Sequence, residues 1–183
     1  LITKNTKAIM PVHYASSCEN IENVYALARE FDLRVIEDAA HSFGGEYAGQ
    51  KIGSTGDVIA FSFDGIKNIT TGEGGCVVSC DQNVMGRIRD ARLLGVVNDS
   101  DLRVKRQRSW DFNVLHRGYR YHMSDLMAAI GIEQMKKLSF RVERKKEILK
   151  TYQNLLKDLN QVKIFDQDLV NTTPWFIDCV AEN

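Results

Sequence analysis

Two apolar runs separated by an amphipathic helix place the strongest limit on what this chain can fold into. Ala8–His13 (AIMPVH) reads as a short buried strand that breaks into the loop Tyr14–Ser17. A helix from about Glu19 to Phe31 follows, with Ile21, Val24, Tyr25, Ala28 and Phe31 on one stripe at helical spacing. Leu33–Ile36 is the next apolar run, and it ends in Glu37-Asp38-Ala39-Ala40-His41-Ser42. Strand, helical crossover and strand make the βαβ unit of a parallel sheet, because parallel neighbours cannot be joined by a tight turn. The fold class is therefore α/β.

Glycines at 44, 45, 49, 53 and 56 mark a turn-rich stretch before a third strand at Val58–Phe63. A polar loop leads to a fourth at Gly74–Ser79, and Asp81 can cap a helix carrying Val84, Ile88 and Ala91. Periodicity is lost between about Val96 and Met123. Ser124 can then cap a helical stretch to about Leu159, bent or broken once, with Ile148, Tyr152, Leu155 and Leu159 in register. Trp175–Val180 reads as strand-like. The sequence has neither an internal repeat nor a low-complexity tract.

The 183 residues suffice for one sizeable core. Twenty-four basic residues balance twenty-four acidic ones, so a generally basic nucleic-acid binder is not expected. No apolar run approaches the roughly 20 residues of a membrane span, and no signal peptide opens the chain. Cys18, Cys76, Cys80 and Cys179 form no C-x-x-C pair, and no metal site is expected. Cys76 and Cys80, at even spacing, would share one face of a strand. All four read as reduced thiols packed as small hydrophobes in a cytoplasmic protein.

Ligands of open α/β sheets bind beyond the carboxyl ends of the parallel strands. His13 follows the first strand, Asp38 and His41 the second, and Ser62, Asp64, Lys67 and Asn68 the third. Asp38 lies between apolar pairs, and a buried carboxylate is costly without a partner. It serves either as a cap or salt-bridge partner, or as the acceptor for a cationic ligand nitrogen. Lys67 is either a solvated loop charge or, in a dry pocket, a nucleophilic amine suited to Schiff-base chemistry. The glycine-rich loop is not a P-loop, because Lys67 precedes Gly72 and Gly74-Gly75 instead of following the glycines.

Taken together, Glu37-Asp38-Ala39-Ala40-His41, Phe61-Ser62-Phe63, Lys67-Asn68 and Thr71-Gly72-Glu73-Gly74-Gly75 closely resemble the DegT/DnrJ/EryC1/StrS family of sugar aminotransferases. Lys7–His13 and Gly118-Tyr119-Arg120-Tyr121-His122-Met123-Ser124-Asp125, leading into Ala128-Ala129-Ile130-Gly131, resemble it too. The resemblance runs from about Thr6 to Leu159. It implies a pyridoxal 5'-phosphate (PLP) enzyme of fold type I, with a three-layer αβα large domain that is here incomplete. Residues 1–160 would be part of that PLP-binding domain, ending in the long helical stretch, and 161–183 the start of a C-terminal small domain.

By the same resemblance, Lys67 would form the Schiff base with PLP and act as general acid and base. Asp38 would pair with the pyridinium nitrogen, His41 would lie against the ring, and Ser62 would hydrogen-bond the phosphate. Arg120 stands where the family pattern G-Y-N-Y-R has the Asn that reaches the neighbouring subunit's cofactor phosphate, and His122 stands at its Arg. Arginine binds phosphate well, so cofactor binding at Arg120 is the expectation, with a merely solvated arginine as the alternative. His13 is read equally as a site neighbour or as packing. His116 and the run Arg103, Lys105, Arg106 and Arg108 read as a solvated loop, or as a contact for a nucleotide-sugar diphosphate.

The implied reaction moves an amino group, typically from glutamate, to a nucleotide-linked keto-deoxysugar, in a cytoplasmic homodimer that serves amino-sugar and cell-surface polysaccharide synthesis. Relatives that are PLP-dependent sugar dehydratases replace the lysine with histidine, so Lys67 favours the transaminase. Family members are roughly twice this long. The chain begins at Leu1 and reads as their central section, lacking the N-terminal turn that takes the cofactor phosphate. A non-catalytic truncated module is therefore the alternative of another class.

Overall fold

The computed structural model describes residues 1–97, 102, 104–107 and 113–181. Arg103 and Arg108 of the expected basic run lie outside the described residues. The chain forms two compact units, Leu1–Val78 with Leu126–Asn183, and Ser79–Asp125.

The first unit is built on a four-stranded sheet in the order β1-β2-β5-β6. The strands are β1 (Ala8–Ile9), β2 (Arg34–Asp38), β5 (Val58–Ser62) and β6 (Gly75–Val78). β1, β2 and β5 run parallel, with Ile9 opposite Val35 and Asp38 opposite Ala60. The β1 strand is shorter than the apolar run that encodes it, since Pro11 has no N–H for the ladder, and pairing resumes only as a bridge from Val12 to Asp38. α1 (Ile21–Glu30) is the crossover, with Ile21, Val24, Tyr25 and Ala28 turned inward while Phe31 ends exposed.

β6 departs from the parallel pattern and pairs antiparallel with β5, Ser62 facing Gly75. The 12 residues between the two strands (63–74) hold no helix, and a connection this short returns a strand antiparallel more readily than it crosses over. β6 stops at Val78, so Cys80 falls outside the strand and does not share a face with Cys76. Cys80 and Cys179 are exposed, contrary to the packed thiols expected. Between β2 and β5 lies a hairpin, β3 (Glu46–Tyr47) and β4 (Gln50–Lys51), turned by Ala48 (φ 49°) and Gly49 (φ 76°). Positive φ at both central positions matches the right-handed twist of the flanking strands.

The core of this unit gathers Ala39, Ile59 and Phe61, with Phe43, Ile52, Phe63 and Cys76 packed against them. Phe43 meets the rings of both Phe61 and Phe63 edge-on at 5.2 Å. The long helical stretch is two helices, α3 (Asp125–Lys136) and α4 (Leu138–Leu156), broken at Lys137 (φ −102°, ψ 0°). The inward face of α4 is Leu138, Val142, Lys145, Lys146 and Leu149, not the Ile148-Tyr152-Leu155 stripe. Leu149 is fully buried, while Leu155 is 73% exposed. β7 (Val162–Ile164) pairs with β8 (Cys179–Ala181), and residues 161–181 belong to the same unit as the sheet. β8 begins after Trp175 and Phe176, which were expected within a strand.

The second unit begins with α2 (Gln82–Ala91), capped as expected by Asp81, whose carboxylate accepts from the backbone N–H groups of Asn83 (3.0 Å) and Val84 (3.2 Å). The chain then folds back through bridges from Leu93 to Arg120 and Val96 to Val114. Gly118 must be a glycine here, because a Cβ would fall 1.9 Å from the Gly95 nitrogen. Lys105, Arg106 and His116 are exposed in this unit. Among the described residues, no helix is long and apolar enough to cross a membrane.

Candidate active site

Side chains alternate faces along a strand, so the neighbours Glu37 and Asp38 serve opposite sides of the sheet. On one side Asp38, opposite Ala60 and hence in line with Ser62, marks the carboxyl ends of β2 and β5. Asp38 Oδ1 accepts the backbone N–H of Ala40 at 3.0 Å, bending the chain so that His41 follows in a turn. Ser62 Oγ accepts the N–H of Asp64 at 3.3 Å, which leaves its proton to donate.

Lys67 lies in the β5–β6 loop, whose base is closed by Phe63 N–H to Gly74 C=O and Thr71 N–H to Phe63 C=O. Its Nζ stands 3.9 Å from the centroid of the Trp175 ring. Trp175 in turn stacks on His41, ring centroids 3.7 Å apart and planes within 20°, and donates Nε1–H to Ile66 C=O at 3.0 Å. An ammonium over an indole face is held by the ring quadrupole. Phe176 and Tyr14 close the aromatic group, edge-on at 5.3 Å. The His41 pKa is lowered, first by burial and then by the positive charge of Lys67, with Asp38 acting in the opposite direction. His41 Nδ1 is buried without a hydrogen-bond partner.

The structure thus gathers Lys67, Asp38 and His41, with Ser62 on the same face of the sheet. Arg120 lies exposed in the other unit, bridged by its backbone to Leu93, and His122 is exposed there as well. Sequence reasoning missed Trp175, whose only signal was an aromatic pair after Pro174 that also suits a strand.

On the opposite side of the sheet, His13 resolves to packing. It is 2% exposed, with Nε2 2.9 Å from Glu37 Oε2 and Nδ1 2.9 Å from Ser42 Oγ. Tyr25 donates to Glu37 Oε1 at 2.5 Å and accepts the Asp57 N–H at 2.8 Å. A cavity of about 320 Å³ borders this group. Burial, then the bond to Glu37, hold the Tyr25 phenol far above its ordinary value.

Residues 1–179 match the family model of the DegT/DnrJ/EryC1/StrS aminotransferases. The chain belongs to this family. It is 44% identical over 158 residues to an uncharacterized protein of Methanocaldococcus jannaschii, covering 86% of this chain and 41% of that one. It is 38% identical over 156 residues to the UDP-4-amino-4-deoxy-L-arabinose–oxoglutarate aminotransferase of Shewanella sediminis, covering 85% and 40%. Helicobacter pylori PseC, an aminotransferase involved in the biosynthesis of pseudoaminic acid, superposes with a TM-score of 0.88 at 27% identity, over 100% of this chain and 47% of PseC. The chain therefore spans less than half the length of these relatives. Its fold is that of an incomplete α/β domain of fold type I, as the sequence implied.

Proposed function

We propose that this chain carries the Schiff-base lysine and part of the cofactor pocket of a PLP-dependent sugar aminotransferase, with Lys67 as the attachment point. The observation that supports this most is the Lys67 amine over an indole that stacks on His41, with Asp38 at the end of β2 acting electrostatically on the same imidazole. The residues present fit the cofactor: a carboxylate at the end of β2, a flat ring with a buried unpaired nitrogen, a hydroxyl with a free proton and an amine over an indole face.

PLP, when bound, supplies an electron sink for proton removal at the carbon that carries the amine. Asp38 would hold the proton on the pyridinium nitrogen, and His41 would lie against the ring. Ser62 would donate to the phosphate, and Arg120, at the position where the family pattern has the Asn that reaches the neighbouring subunit's cofactor phosphate, would bind that phosphate in the partner. Lys67, once released from the cofactor, would move the proton as general base and acid. Trp175 would keep water from the amine.

The substrate we propose is a nucleotide-linked keto-deoxysugar with glutamate as donor. The family and the UDP-sugar and oxoglutarate in the Shewanella relative's name support this reading. A homodimer in the cytoplasm, and residues 161–183 as the opening of a small domain, complete the proposal. A non-catalytic module of the same fold is the second reading, because the chain spans less than half the length of these relatives. Lys67→Ala separates the two: the aminotransferase reading predicts loss of the cofactor absorbance and of amino transfer across a panel of nucleotide keto-sugars. An unchanged spectrum in that variant would sink it.

A further inference from the structure

The residue next to Lys67 is engaged at every polar atom of its side chain. Asn68 is 4% exposed. Its Nδ2 donates to the backbone carbonyls of His41 and Phe43, both at 3.1 Å, and its Oδ1 receives Lys145 Nζ from α4 at 2.5 Å. Carbonyls only accept and an ammonium only donates, so a flipped amide would oppose like to like at all three contacts. The orientation of Asn68 is therefore fixed by its partners.

Lys145 sits among Val142 and Leu149 on the inward face of α4, where a lysine ordinarily snorkels to water. Burial and the nearby Arg141 lower its pKa, so its inward reach requires an acceptor, and Asn68 Oδ1 is that acceptor. The His41 carbonyl also lies 2.5 Å from Ser16 Oγ, whose single proton is shared with the carbonyl of Thr173, two residues before Trp175. One amide thus links the lysine loop, the turn bearing His41 and α4, and through Ser16 the segment that delivers Trp175.

We propose that Asn68 and Lys145 act as a clamp that positions the Lys67 amine, a role that rests on Lys67 being the attachment point. Neither touches the cofactor; both are positioning residues. Lys145→Met removes only the ammonium, Asn68→Ala the whole junction, and Lys145→Arg keeps a cationic donor. Two readouts apply to the intact protein. Amide exchange over residues 64–72 without cofactor should quicken about tenfold in Lys145→Met, as expected for loss of a charge-assisted bond. With PLP, the fraction trapped on Lys67 by borohydride should fall by a similar factor while noncovalent PLP binding is retained, and Lys145→Arg should restore it.

Unchanged exchange and trapping in folded Lys145→Met would overturn the clamp. So would a loss of binding and trapping in equal measure that arginine does not rescue, the mark of a purely structural residue. If Asn68→Ala fails to fold, Lys145→Met decides. If the unsubstituted protein traps no PLP on Lys67, the attachment reading falls, and amide exchange alone decides whether the clamp exists.

Discussion

His41 feels opposite charges, Lys67 lowering its pKa and Asp38 raising it, and burial, the largest influence, favours the neutral ring. The folded state therefore binds a proton at His41 less readily than the unfolded chain does. That difference adds stability above the ordinary value of 6.5, and the contribution is lost as pH falls below it toward the folded-state value. Thermal unfolding between pH 5 and 8 should show a decline on the acid side that is shallower in His41→Gln. An identical slope in the variant would show that His41 is not the titrating group. Asp38, His41 and Lys67 were legible in the sequence because each follows an apolar strand run, where parallel sheets place their ligands. His13 was not, because the same position suits a ligand contact and a buried pair. Only the alternation of Glu37 and Asp38 across the sheet separates the two.

Elements with a local signal came out near their expected bounds. Asp81 caps α2 through two backbone N–H groups, so Asp81→Ala should cost about 1 kcal/mol in urea unfolding and Asp81→Ser much less. Equal losses in both variants would contradict the capping role. What the sequence hid depends on partners distant along the chain. The inward face of α4 contains Lys145 and Lys146, and these interrupt the apolar stripe that periodicity needs. Asn68 Oδ1 and the Val170 carbonyl, which satisfy the two ammonium groups, lie far off in sequence. Ile148, Tyr152 and Leu155 supply a cleaner stripe, yet it is the exposed one. Trp175 and Phe176 carry β propensity, but stacking on His41 and packing on Tyr14 draw them out of β8.

At the scale of the molecule, the chain presents apolar surface that an isolated helix would not keep in water. Leu126 is 81% exposed, Ile132 61% and Phe140 75%, on or beside a helix that is apolar on most sides. The relatives' chains, more than twice as long, have additional polypeptide to lay against such a surface. The α/β class and the family were readable from the order of short motifs. The break in the long helical stretch was readable too, whereas the mixed sheet and the aromatic cover of Lys67 emerge only when distant segments are brought together. The central claim is that Lys67 is the amine that bonds PLP. It is tested most directly by adding stoichiometric PLP, reducing with borohydride and locating the adduct by peptide mass spectrometry. The account predicts one dominant adduct, on Lys67, absent from Lys67→Ala. Labelling spread evenly over the exposed lysines, or concentrated on another one, would contradict it.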